Sequence, residues 1–218
     1  MSADQMDFNF NRWRLMNESE VFAHIRSLYR SAKVVATADG PQDLESLVVF
    51  LTDGLIVNVM TGFKDPQARF ETIAQMALYL QPFQIIMIDE TYHVLIEREE
   101  GQTDPPVGPP RGSLQKRFEE GDPAVSESIS STSVWGIPPV VWMVNQGFHY
   151  EHGVVVFHDE SPLSEALGGG FPQMLTEAFN LSMESIRRES ISLADKRYML
   201  TLHSEACPDL FIRSSVLT

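Results

Sequence analysis

Cysteine is almost missing from this sequence: Cys207 is the only one in 218 residues. No internal disulfide can form, and a reducing compartment is expected. Long apolar runs are missing too, since none approaches the roughly 20 residues of a membrane-spanning helix. Met1 to Arg14 lack the continuous apolar stretch of a signal peptide. These absences predict a soluble, cytoplasmic protein with no membrane partner. Cations are scarce, with 16 Lys and Arg against 30 Asp and Glu and a formal net charge of -14. A nucleic-acid partner is not expected, because such binding relies on Lys and Arg to neutralise phosphates. The ordinary consequence of this acidity is solubility; a sharper one is a DNA mimic or a ligand for a basic protein.

Motifs of familiar chemistry are also lacking. Gly168-Gly169-Gly170 has neither the lysine nor the preceding strand of a phosphate-binding loop. No Gly-x-Ser-x-Gly elbow occurs. Cys207 has His203 four residues before it, a pairing too common by chance to define a nucleophile. No cofactor and no metal site are expected, and no catalytic residue is assigned.

What is present is a core-forming composition, with 43% hydrophobic residues. A chain of this length removes roughly 70% of its unfolded surface on folding. Asn17 offers an N-cap with Glu20 three residues on, followed by Val21, Phe22, Ile25, Leu28 and Tyr29 at helical spacing, so a helix is predicted over 18–32. His24 lies at the edge of that stripe. Residues 47–60 form two β-rich runs around Asp53-Gly54, which predicts a hairpin with a type I′ turn. Leu44, Leu47, Val48 and Leu51 also match a helical face, but the β-branched content favours strands.

Asp65-Pro66 starts a second helix that Pro82 ends. Four prolines and three glycines in 99–112 exclude regular structure and predict a flexible acidic loop within a single domain, 1–218. Further on, a short helix is expected over 114–120 and strands near 129–135, 140–144 and 154–157. Gln146-Gly147 and His152-Gly153 are turn candidates. A helix is expected over 171–188, a strand over 197–203 and a short edge strand over 210–213.

The stretch Gln84 to Glu97 organises the chain. It is apolar at both ends and carries Asp89, Glu90 and His93 in its middle, as expected of a core strand whose end reaches solvent. Asp89 and His93 share a strand face and could form an acid/base pair; a hairpin turning at Glu90-Thr91 would instead make them cross-strand neighbours. Exposed polarity explains the same residues without chemistry. His149, His152 and His158, with neighbouring carboxylates, form a second cluster whose spacing fits no helical zinc signature.

The order helix, hairpin, helix, strand resembles the cytidine-deaminase-like fold. That family's His-x-Glu and Pro-Cys-x-x-Cys are absent here, so the resemblance does not bring zinc deaminase chemistry with it. The stretch Asp89-Glu-Thr-Tyr-His93, together with the segment from Gly112 to Ser128, is similar to uncharacterised proteins of actinobacteria and their phages. That resemblance implies a phage or bacterial origin and no particular activity.

The fold predicted is α+β: a mostly antiparallel sheet with helices packed mainly on one face. The function predicted is that of a non-enzymatic interaction or assembly protein, as in a phage accessory or structural component, with a protein partner or self-association into a homo-oligomer. Phe8, Phe10, Trp13 and Trp135 are candidate interface side chains, because large aromatics dominate interfaces. The alternative is a metal-dependent hydrolase using the Asp/His clusters near 89–93 or 149–160.

Overall fold

Eight antiparallel strands form one sheet in the computed structural model, which describes residues 16–38, 40–61, 65–94, 113–161, 164–165 and 170–216. The arm carrying Phe8, Phe10 and Trp13 and the loop at 99–112 lie outside the described residues. In chain order the elements are α1 (Glu18–Ala36), β1 (Ser46–Thr52), β2 (Leu55–Thr61), α2 (Pro66–Leu80), β3 (Gln84–Val94), α3 (Ser113–Glu119), β4 (Val125–Trp135), β5 (Val140–Glu151), β6 (Val154–Glu160), β7 (Ser164–Glu165), α4 (Gly170–Arg188), α5 (Leu193–Ala206) and β8 (Leu210–Val216). The sheet runs β6-β5-β4-β3-β1-β2-β8, with β7 paired to β5.

Local chemistry sets the boundaries. The Asn17 side chain accepts from the Glu20 amide at 3.0 Å and the Glu20 carboxylate accepts from the Asn17 amide at 2.9 Å, closing the capping box that starts α1. Asp65 caps α2 through the Gln67 and Ala68 amides. That helix ends at Gln81, which takes a left-handed conformation with φ 52°.

The sheet is covered on both faces, unequally. Val48, Phe50, Leu55, Val57, Ile85 and Met87 pack under α2, α4 and α5. Leu47, Val49, Leu51, Ile86 and Ile88 pack under Val21, Phe22, Ile25 and Tyr29 of α1. The architecture is therefore α+β with most helices on one face, as the sequence implies, while α1 and the short α3, through Phe118 on Tyr92, lie on the other. Among the described residues no helix is long and apolar enough to cross a membrane.

Four expectations are corrected. Residues 197–203 belong to α5, not to a strand: the Ser192 hydroxyl caps the Asp195 amide at 3.1 Å, and Lys196 and Leu200, one turn apart, are its buried residues. Asp53-Gly54 does join β1 to β2, but only Gly54 has positive φ (84°), so the turn is not type I′. The Thr52 hydroxyl closes it instead by donating to the Leu55 carbonyl at 3.2 Å. Both positive φ values of that turn type occur at His152 (52°) and Gly153 (84°), between β5 and β6. Gln146-Gly147 is not a turn; it lies within β5, where the register with β6 shifts. β3 runs without bending through Glu90-Thr91 to Val94, because β4 pairs with its whole length.

Candidate functional site

Asp89 and Glu90 fall where β3 outruns its neighbour. Its pairing with β1 ends at Leu47 and Ile88, while the pairing with β4 continues to Val94. Ile85 to Ile88 are buried, and the residues after them are half-exposed. Alternation along the strand sends Asp89 and Glu90 to opposite faces.

Asp89 accepts from the Ser46 hydroxyl and from Arg69 of α2, both at 2.6 Å. Glu90 accepts from Lys33 of α1 at 2.7 Å and from the Leu44 amide at 3.1 Å. The Lys33 side chain is fully buried. It also donates to the Gln42 carbonyl at 2.6 Å and lies 4.8 Å from the centre of the Phe148 ring. Burial alone would pull its pKa down, but hydrogen bonds to Glu90 and Tyr150 outweigh that and hold it above the ordinary lysine value. Burial holds Glu90 above the ordinary glutamate value, against the pull of Lys33. With their oxygens so engaged, both carboxylates serve to fasten helices to the sheet.

His93 shares its face with Asp89. Its Nδ1 is buried without a hydrogen-bond partner among the described residues. Burial first, and the nearby His158 second, lower its pKa. On the same face, His149 Nδ1 lies 2.8 Å from His158 Nε2, and His149 Nε2 lies 3.0 Å from Glu151 Oε1. With His149 neutral and donating to Glu151, His158 must be the donor to His149. Gly147 makes room for this line, since a Cβ there would stand 2.9 Å from His158 Nδ1. Asp89 and His93 of the first sequence cluster thus share a face of the sheet with His149 and His158 of the second, while Glu90 points to the other face. His152, in the β5–β6 turn, does not join them. Among the described residues neither His149 nor His158 bonds a hydroxyl or thiol nucleophile, and no group of three His, Cys, Asp or Glu is arranged to hold a metal ion.

Trp135 closes β4 and packs edge-on against Trp142, with ring centres 4.2 Å apart. It is half-buried and serves the protein's own packing.

Several exposed apolar side chains lie at the α5–β8 rim: Tyr198 is 63% exposed, with Met199 and Leu202 on α5 and Val216 on β8, while Phe211 is exposed on the opposite face of β8. Between α5 and β8 lies an open hollow of about 610 Å³, lined by Arg197, Tyr198, Thr201, Ser204, Glu205 and Ile212 among others. β8 is an outer strand of the sheet and carries a single charge, Arg213. The opposite outer strand, β6, ends in His158, Asp159 and Glu160, and Glu160 is paired with Arg26 and Arg30 of α1. Charges of that kind discourage edge-to-edge pairing. β8 lacks them. Sequence reasoning passed over this rim because it read α5 as a strand; the apolar residues at 198, 199 and 202 were its visible signal.

Among the described residues, fold and rim together define an α+β protein with one guarded and one open sheet edge. In comparisons with known proteins, the chain matches no family model, no curated protein and no solved structure.

Proposed function

We propose that this is a non-enzymatic interaction or assembly protein that binds other protein chains at the α5–β8 rim. One observation carries the reading: exposed apolar side chains of α5 (Tyr198, Met199, Leu202) flank β8, an outer strand that bears a single charge. Strand edges and neighbouring helical faces are common seats for protein partners, and large apolar side chains supply most of the binding energy there. The net charge of -14 favours a protein partner over nucleic acid. Cys207 as the only cysteine fits a cytoplasmic setting. The resemblance of 89–93 and 112–128 to proteins of actinobacteria and their phages fits a phage or bacterial origin.

A photoreactive side chain at position 198 tests this. It should cross-link to another protein chain, whereas the same group at exposed Glu184 on α4 should not. Tyr198→Glu combined with Leu202→Glu should abolish association of the folded protein. Association unchanged by that pair would sink the proposal.

A metal-dependent hydrolase is the second reading, carried by the Glu151–His149–His158 line. Elemental analysis of protein purified without a histidine tag tests it. Stoichiometric zinc or manganese, lost on His149→Ala, would place it above the first.

A further inference from the structure

We infer that the partner at the α5–β8 rim is a second copy of this chain, joined about a two-fold axis that passes beside α5 at Thr201. This rests on the reading of the rim as a protein-binding edge and adds the identity of the partner and the register of contact.

The exposed face of α5 is self-complementary in sequence. Arg197 and Tyr198 precede Thr201 by as many positions as Glu205 and Ser204 follow it. These residues line one hollow beside β8. A two-fold axis normal to the sheet and beside Thr201 sets two α5 helices antiparallel and side by side. Arg197 and Tyr198 of each copy then meet Ser204 and Glu205 of the other, twice. Isologous contacts have this reciprocity: residue i meets j and j meets i. Thr201 and Ser204 are small enough to let the helices approach.

The same axis brings the two β8 strands together antiparallel, the sense of every other pair in this sheet. The open hollow over β8 leaves room for side chains of the second copy. Charge points to the same occupant. A partner chosen by the overall field of a -14 chain would be basic. The hollow instead carries one cation, Arg197, and one anion, Glu205, a pattern matched by itself. Complementary charges of this kind fix register and suppress wrong partners.

Charge reversal tests the register by sedimentation equilibrium on the full chain. Wild type should dimerise at micromolar concentrations. Arg197→Glu alone and Glu205→Arg alone each place like charges together at both ends and should weaken the dimer at least about tenfold. Mixing these two single variants should give a heterodimer of near wild-type strength, and so should both substitutions in one chain. Those restorations also show that the variants fold. A wild-type monomer whose position 198 still cross-links to a different protein would overturn the second copy and leave the rim reading intact. A dimer indifferent to all of these variants would overturn the register and the axis. Loss of all association at the rim, including cross-links from position 198, would sink both.

Discussion

Asp89 and Glu90 are neighbours in the chain and point to opposite faces of the sheet, where each is bonded to the cation of a different helix. Arg69 of α2 reaches Asp89 at 2.6 Å, and Lys33 of α1 reaches Glu90 at 2.7 Å. One dipeptide therefore ties both helical layers to the central strand. The acids that most suggested catalysis hold the fold together.

Breaking the inner of these pairs should cost much more than removing it. Glu90→Gln leaves the fully buried Lys33 ammonium without its counter-charge, a change expected to cost about 3–5 kcal/mol. Lys33→Met with Glu90→Leu should recover most of that loss, because an apolar pair needs no compensation. Urea denaturation of Lys33→Met, Glu90→Leu and the double, read as a thermodynamic cycle, measures the coupling. Additive effects would show that the two residues do not depend on each other.

Alkaline pH should expose the same pair. The Lys33 pKa is raised in the folded protein, so its stabilising contribution is complete below the ordinary value of 10.5 and is lost as pH rises through the folded value. Tyr29, pushed up by burial, works in the same direction once unfolded tyrosines begin to ionise. Lys33→Met should lose less stability than wild type between pH 10 and the alkaline end of its folded range. Parallel curves for the two proteins would contradict this.

The acid side should report on two histidines. Burial lowers the pKa of both His93 and His203 below the ordinary 6.5. The unfolded chain then binds more protons than the folded one below 6.5, so stability is full above that value and falls as pH drops towards the folded values. His93→Gln should flatten the stability profile between about pH 5.5 and 7.5, and adding His203→Gln should flatten it further. A slope that survives both substitutions would assign it to other groups.

Gly147→Ala should displace one ring with little effect on the rest. The added methyl would stand 2.9 Å from His158 Nδ1, and that imidazole is exposed enough to swing away. The better strand propensity of alanine offsets part of the disturbance, leaving a net change within about 1 kcal/mol. Nitrogen-15 spectra of the histidine rings should show the His149–His158 bond gone. An unchanged bond would mean that β5 shifts instead.

Much of this architecture was legible from local pattern. Asn17 with Glu20, Asp65 with Pro66, and the β-branched runs around Asp53-Gly54 announce α1, α2 and the β1–β2 hairpin through chemistry that acts within a few residues. The α5 segment was misread for a physical reason. Only Lys196 and Leu200 are buried along it, while Tyr198, Met199 and Leu202 face outward, so its apolar residues show no helical stripe. The engagement of Asp89 and Glu90 was equally hidden, since Arg69 and Lys33 sit on separate helices, 20 and 57 positions away. Approach of the His93 and His149–His158 clusters depends on the β3-β4-β5-β6 order, which no local signal encodes.

β8 pairs with β2 across a long stretch of chain: Leu210 lies against Thr61, 149 positions earlier (210 − 61 = 149). The β1–β2 register, by contrast, closes over the two residues between Thr52 and Leu55. Chain-closure entropy therefore delays β8 until the rest of the sheet exists, and a peripheral strand is among the first to detach in the native state. Each detachment uncovers the β2 edge, where a strand from a neighbouring molecule can settle in place of the chain's own. The rim that we assign to pairing is thus also the route by which these molecules could exchange strands, and its amides should gain protection from hydrogen exchange as protein concentration rises.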